Sequence, residues 1–292
     1  MKTPLLVTGG TGNIGGRVVP LLRAAGRDIR ILSRHPRADE PGIQHVHGDT
    51  VTGVGLAEAV EGVDVVLHLA GGAKGDDIAA SALAAATRKA GVRHLILISV
   101  IGADRMPIGY FRAKAQAEQT IADSGVPWTV LRAAQLHDLV LPIVRGMARL
   151  PLLPVPGGLR FEPVHGDDVA IRLAELALGE PAGRVADLAG PQVLDVRQLA
   201  EAYAEVSGKR VRLRLPIRLP GAVGRAYRAG DNLAGGDAQR GRRTWEEFLH
   251  LLLAVPVLGE QPRTLDGLQD VRIRPIGTGG DGESGGVTGD EG

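Results

Sequence analysis

Thr8-Gly9-Gly10-Thr11-Gly12-Asn13-Ile14-Gly15 follows a short apolar run, Pro4 to Thr8, and opens a segment whose apolar residues Ile14, Val18, Leu22 and Ala25 recur at helical spacing. A strand, a glycine-rich turn and a helix in that order make a site for a phosphate-bearing ligand. The first N–H groups of a helix have no intrahelical acceptor, and the helix dipole favours negative charge beside them. Glycines at 9, 12 and 15 supply a tight first turn, a bare backbone where a pyrophosphate approaches, and close packing of helix on strand. A purely structural turn is the alternative, and the strand before, helix after and surrounding βαβ frame favour dinucleotide binding over it. The chain contains no G-x-x-x-x-G-K-[ST] sequence, so a triphosphate-binding P-loop is not the competitor.

Outward from this turn, β-branched runs alternate with Ala-rich stretches as far as Arg132, the pattern of a parallel sheet with helical crossovers. The expected strands are Pro4 to Thr8, Asp28 to Leu32, Ile43 to His47, Val63 to Leu69, His94 to Ser99 and Trp128 to Leu131. Right-handed crossovers then give an α/β fold, a Rossmann-type doubly wound parallel sheet whose ligands sit at the carboxyl ends of the strands. Residues 1–132 read as this NAD(P)-binding domain. Residues 133–276, beginning with Pro142, Pro151, Pro154 and Pro156, read as a small α+β substrate lobe intertwined with it. Residues 277–292 hold eight glycines and four acidic residues, a composition that buries no apolar surface and reads as a disordered tail.

The chain has 292 residues, enough for a core without disulfides or metal. Its 34 Lys+Arg against 33 Asp+Glu leave a charge of +1, so no global field points to nucleic acid or an anionic membrane. No apolar run reaches the roughly 18 residues of a membrane span. The lack of cysteine excludes thiolate zinc and cysteine nucleophiles and fits a reducing, cytoplasmic setting. From Lys209 to Arg228 there are seven basic residues and no acidic one. Val211 to Leu215 reads there as a strand with one apolar and one solvated face, with a polyanion site as the alternative.

The end of the second strand, Ser33-Arg34, carries no Asp or Glu to accept from a ribose 2′-hydroxyl. Arg34 and Ser33 instead suit a 2′-phosphate, so NADP(H) is the expected cofactor and NAD(H) the second candidate. Asp49 stands where a carboxylate would accept from the adenine amino group, or cap a helix. Ala70 and Gly71, after the fourth strand, let a cofactor lie close to the backbone.

Tyr110 and Lys114 fall at i, i+4 on a helix after the fifth strand, which places a phenol and an ammonium on one face. A nearby cation stabilises a phenolate and brings proton transfer toward neutral pH. Ser99, at the end of the fifth strand, could donate to a substrate carbonyl or bond to backbone. His45 and His47 share a strand face without a third ligand and are not read as a metal site. Asp138 reads as a helix cap, and Asp167-Asp168 as the acidic start of a helix.

The glycine turn, the Tyr110/Lys114 pair, Ser124-Gly-Val-Pro-Trp-Thr-Val-Leu-Arg132 and Phe161-Glu-Pro-Val-His-Gly-Asp-Asp-Val169 together resemble the atypical short-chain dehydrogenase/reductase superfamily. Within it the chain most resembles the NmrA-like NAD(P)H-binding branch that includes relatives of the complex I 39 kDa accessory subunit. The resemblance implies a Rossmann fold, an NAD(P) cofactor held by Thr8, Gly9, Gly12, Asn13, Ile14 and Gly15, and Lys114 on the nicotinamide ribose. It also implies Tyr110 as acid and Ser99 as carbonyl partner. Three functions stay open: an oxidoreductase passing hydride between NADP(H) and a small carbonyl, quinone or enone; a non-catalytic NAD(P)H-binding sensor or assembly factor; and a nucleotide-sugar epimerase or dehydratase. The expected partner is a small molecule, and oligomeric state is not legible.

Overall fold

The computed structural model describes residues 3–72, 75–150, 152–209 and 213–253. The expected tail, residues 277–292, lies outside them, as do Arg210 to Arg212 of the basic stretch Lys209 to Arg228. In the first half, β1 (Leu5–Thr8), α1 (Gly15–Ala24), β2 (Ile29–Ser33), β3 (Ile43–His47), α2 (Leu56–Val60), β4 (Val65–His68), α3 (Asp76–Ala90), β5 (His94–Val100), α4 (Gly109–Ala122) and β6 (Trp128–Ala133) alternate as the sequence pattern predicts. There follow α5 (His137–Met147), β7 (Leu153–Pro156), β8 (Arg160–Phe161), α6 (Gly166–Leu178), β9 (Gly183–Arg184), β10 (Leu188–Ala189) and β11 (Leu194–Asp195). The described chain ends with α7 (Val196–Val206), β12 (Arg214–Ile217), α8 (Gly221–Ala229), β13 (Gln239–Arg240) and α9 (Trp245–Leu253).

The six long strands pair in parallel in the order β3-β2-β1-β4-β5-β6, the doubly wound arrangement, and β10 and β13 continue the sheet beyond β6. Period-two alternation explains the sandwich. Leu5, Val7, Ile29, Ile31, Leu67 and Ile96 point to the face covered by α1 and α6. Leu6, Leu32, Val66, Leu95 and Leu97 point to the opposite face, where they meet Ala80 and Leu83 of α3 and Ala117 and Ile121 of α4. With both faces covered, these strands must be apolar nearly throughout, as they are. In α1, Val18 and Leu22 are buried as expected, whereas Ala25 is exposed, because the helix has ended one residue earlier.

A third cluster builds the C-terminal part. Trp245 and Phe248 of α9 pack with Leu199 and Tyr203 of α7 and with Val140, Leu141 and Val144 of α5. The described residues up to Leu253 form one compact unit, and β9, β10 and β13 belong to the main sheet. Of the expected strand from Val211 to Leu215, Val211 and Arg212 lie outside the described residues; β12 spans Arg214–Ile217 and pairs in parallel with β7. Its apolar side chains are not a buried face. Leu213, Leu215 and Ile217 are all exposed, because β7 and β12 form a two-stranded ribbon separate from the main sheet.

Arg132 fixes α4 against the sheet. Buried at the end of β6, it donates from Nε and Nη2 to Glu118 at 2.8 and 2.7 Å and from Nη1 to Asp104 at 2.9 Å. Breaking one side of a buried ion pair strands the other charge, at a cost of about 3–5 kcal/mol. Arg132→Met should therefore lower the urea unfolding free energy by about that amount. Arg132→Met combined with Glu118→Leu should recover much of it, and equal losses in both variants would show that Glu118 is not the stranded charge.

Candidate functional site

A groove of about 350 Å³ runs over the carboxyl ends of β1, β2, β3 and β4. Its middle is the glycine turn. Gly9 has φ +71°, and a Cβ there would stand 2.7 Å from the Ala70 nitrogen, so only glycine fits. A Cβ on Gly15 would overlap the Gly9 carbonyl oxygen, which itself accepts from Gly12 N–H at 3.0 Å. The turn thus folds back on itself and aims the start of α1 at the groove. Asn13 and Ile14 precede α1; the Asn13 side chain accepts from Arg17 Nε at 3.1 Å and is turned toward its own helix.

One end of the groove is lined by Ser33, Arg34 and His35. Ser33 Oγ accepts from His35 N–H at 3.2 Å, which leaves its own hydroxyl proton free to donate. Arg34 is exposed beside it. Asp49 also lines the groove, but it caps no helix. Its Oδ1 accepts from Val51 N–H at 2.7 Å in an Asx turn, and Gly55 precedes α2. A bare turn at a helix N-terminus flanked by an arginine and a free hydroxyl donor fits a dinucleotide bearing a 2′-phosphate.

The other end is formed by Leu69, Ala70, Gly71, Gly72 and Asp76. Beneath it, Lys114 of α4 is buried with its Nζ 2.9 Å from Asp76 Oδ2 and 3.5 Å from the Ile98 carbonyl oxygen. A Cβ on Gly71 would lie 3.0 Å from that ammonium, so the glycine gives the lysine its place. Ser99 is buried and its hydroxyl has no protein partner. Tyr110 is 37% exposed at the start of α4, with its ring edge-on to Phe111 at 5.5 Å. Its phenol departs from the expectation of an acidified tyrosine: burial pushes it up, and the Asp76 carboxylate pushes it further the same way. Lys114 is balanced by Asp76, so its charge is not free to favour the phenolate.

Thr8 and His68, on the neighbouring tips of β1 and β4, are buried and joined by a 2.6 Å hydrogen bond between Oγ1 and Nδ1. Burial first, and the Lys114 charge second, lower His68 to about 4, so the ring is neutral. Behind α1, Arg17 donates to Asp167 at 2.6 Å and to Asp138 at 3.1 Å, and Arg243 donates to Asp167 at 3.1 Å. Burial acts to raise the Asp167 carboxyl, and Arg17, His165 and Arg243 outweigh it and hold it below its ordinary value. Asp138 is therefore an ion-pair partner and not the expected cap of α5. Asp167 and Asp168 do open α6, whose cap is His165, with Nδ1 accepting from Asp167 N–H at 3.1 Å. His137 is fully buried against Trp245 and Phe248, donates to the Pro163 carbonyl oxygen, and is lowered to about 4, chiefly by burial. Asp76, Arg17 and His68 are the residues that sequence reasoning missed. No group of three or more potential metal ligands occurs among the described residues.

Sheet order, glycine turn and groove define a Rossmann-type nucleotide-binding protein. Residues 9–143 match the family described as NAD(P)H-binding. The (4-alkanoyl-5-oxo-2,5-dihydrofuran-3-yl)methyl phosphate reductase of Streptomyces griseus is 31% identical over 216 residues, which cover 71% of this chain and 75% of that one. The NAD(P)H azoreductase of Xenophilus azovorans is 28% identical over the same shares. Among solved structures, the triphenylmethane reductase of Citrobacter sp. superposes with a TM-score of 0.74 at 21% identity, covering 86% of this chain and 100% of that one, a likeness of fold. The chain belongs to the NAD(P)H-binding, NmrA-like reductases of the atypical short-chain dehydrogenase group. These matches do not single out the complex I accessory subunit branch expected from the sequence. No helix among the described residues is long and apolar enough to cross a membrane.

Two outcomes follow. Arg34→Ala should weaken NADPH binding by about tenfold or more, the value of one charge-assisted hydrogen bond, and leave NADH within about twofold by calorimetry; equal losses for both would remove Arg34 from the 2′-phosphate. His68 and His137, held neutral at about 4, bind fewer protons than the unfolded chain, whose histidines titrate near 6.5. Their contribution to stability is complete above the unfolded value and is lost as pH falls from there toward 4. The urea midpoint should drop between pH 7 and pH 5, and His68→Gln should make that drop shallower.

Proposed function

We propose that the protein is an NADP(H)-dependent reductase of small, conjugated acceptors such as quinones, enones or aldehydes. The observation that carries this reading is the continuity of the groove, from Ser33 and Arg34 through the glycine turn to Gly71 and Asp76, with Lys114 beneath its far end and Tyr110 on the same helix. The reductase names of the two relatives support it. Ser33 and Arg34 hold the 2′-phosphate, the N–H groups of the turn hold the pyrophosphate, and Lys114 holds the nicotinamide ribose. A bound NADPH supplies the hydride. Tyr110 would give its phenolic proton to the substrate oxygen and be reprotonated by water, and Ser99 would orient that oxygen by a hydrogen bond. A phenol raised by burial carries its proton through neutral pH, so the proton to be given is present.

A second reading, a nucleotide sensor without turnover, is favoured by one observation: Lys114 is already engaged by Asp76 and does not activate Tyr110. The two readings part on one variant. With NADPH and a panel of quinones, enones, aldehydes and azo dyes, Tyr110→Phe should lower kcat by roughly 10²–10⁴-fold, the usual worth of a general acid. Its NADPH affinity by calorimetry should stay within about twofold. A wild-type protein that binds NADPH tightly and oxidises it with none of these acceptors supports the sensor.

A further inference from the structure

The far end of the groove is closed by an ion pair of which only one member lines it. Asp76 does; Lys114, whose ammonium it holds at 2.9 Å, does not. Both side chains are more than nine-tenths buried. A buried ion pair is a poor source of stability unless its remaining donors and acceptors are satisfied. These are not. Asp76 Oδ1 accepts from Gly72 N–H at 3.0 Å and Oδ2 faces the ammonium, which leaves half of the carboxylate's lone-pair sites unused. The ammonium has three donors, of which Asp76 takes one and the Ile98 carbonyl oxygen a long second. The pair therefore presents spare acceptors beside a spare donor. A hydroxyl both donates and accepts, and a vicinal diol does so twice in a small space, which makes a sugar diol the complementary chemistry.

Position selects which diol. Ser33 and Arg34 line one end of the groove, the glycine turn its middle and Asp76 the other end, so a dinucleotide with its 2′-phosphate at Arg34 would bring its second nucleoside to Asp76. Resting on the NADP(H) reading above, we propose that Asp76 is a cofactor-binding residue: its carboxylate, oriented by Lys114 and Gly72 N–H, accepts hydrogen bonds from the ribose diol on the nicotinamide side. Asp76 is then also the group that fixes Lys114, whose ammonium beneath the groove holds the carboxylate toward the diol. Tyr110, on the helix that carries Lys114, senses the same carboxylate, whose charge disfavours its phenolate.

The test compares two probes on one site. Adenosine 2′,5′-bisphosphate carries only the Arg34 half of the cofactor; NADPH carries both. In Asp76→Asn, calorimetry should show NADPH weakened at least tenfold and adenosine 2′,5′-bisphosphate unchanged, and the basic limb of the kcat/KM profile should move to lower pH as Tyr110 is relieved of the carboxylate. Because Asp76→Asn strands a buried ammonium, Lys114→Gln and the double variant Asp76→Asn with Lys114→Gln are measured alongside; the neutral pair should restore the wild-type melting temperature and lose NADPH selectively, by more than Lys114→Gln alone. Wild-type affinity for NADPH in the folded double variant, or equal losses for both probes, overturns the assignment of Asp76 to the diol. A wild-type protein that binds neither probe overturns instead the cofactor reading on which the assignment rests.

Discussion

A methyl group at position 9 would stand 2.7 Å from the amide nitrogen of Ala70, so the loop after β1 and the loop after β4 touch backbone to backbone. That contact is possible only for glycine, and only because Gly9 adopts a positive φ. Several other features rest on it. The Gly9 carbonyl is turned to accept from Gly12, and Gly15 can then abut it, which starts α1 at the right angle. Thr8, one residue earlier, accepts from Ala70 N–H at 3.4 Å and meets His68 at 2.6 Å. The tips of β1 and β4 are the two sides of the point where the strand order reverses, and the groove opens there.

Around this seam, ion pairs that are buried at Lys114 and Arg132 and half-buried at Arg17 tie helices to one another where apolar packing alone would leave their relative placement loose. Lys114 and Asp76 join α4 to α3; Arg132 joins β6 to α4 and to the loop before it; Arg17 joins α1 to α5 and α6. Each uses hydrogen-bonding geometry that a rotated or translated helix would break, and Asp76 of the first pair lines the groove itself. Burying such groups is costly, so their value is in fixing direction, not in adding stability. The helix bearing Tyr110 is held twice over, by Lys114 in its second turn and by Glu118 one turn later.

The sheet was legible because a parallel sheet covered on both faces needs apolar strands and sharp turns, and those are local patterns; β1 to β6 fall within a few residues of expectation. The Tyr110/Lys114 pair was legible because four residues on a helix are one turn. Asp76 was not. It lies 38 positions before Lys114, at the first residue of α3, where an acidic residue has an ordinary explanation in the helix dipole. Arg17 gave no signal either, since its partners Asp138 and Asp167 come from two other helices far along the chain. The C-terminal part escaped for another reason: β8, β9, β10, β11 and β13 have two residues each, too short for any periodicity to be read. At β12 the alternation was real but did not mark a buried face, because burial depends on a covering layer that the strand itself does not encode.

The two ends of the groove do different electrostatic work. At the Ser33 end, Arg34 is exposed and Asp49 half-buried, so their fields are screened by water and salt and act over a few ångströms. Such groups choose between a phosphate and a hydroxyl by contact, without attracting ligands from afar. At the Gly71 end the charges are buried and screened far less, and Lys114 and Asp76 cancel at 2.9 Å. Among the described residues that line this end, no charge is left over, and the neighbouring His68 is held neutral. The pair carries no net charge, although the Asp76 carboxylate still acts on the Tyr110 phenol. Selectivity at this end therefore rests on directed hydrogen bonds and shape more than on net charge.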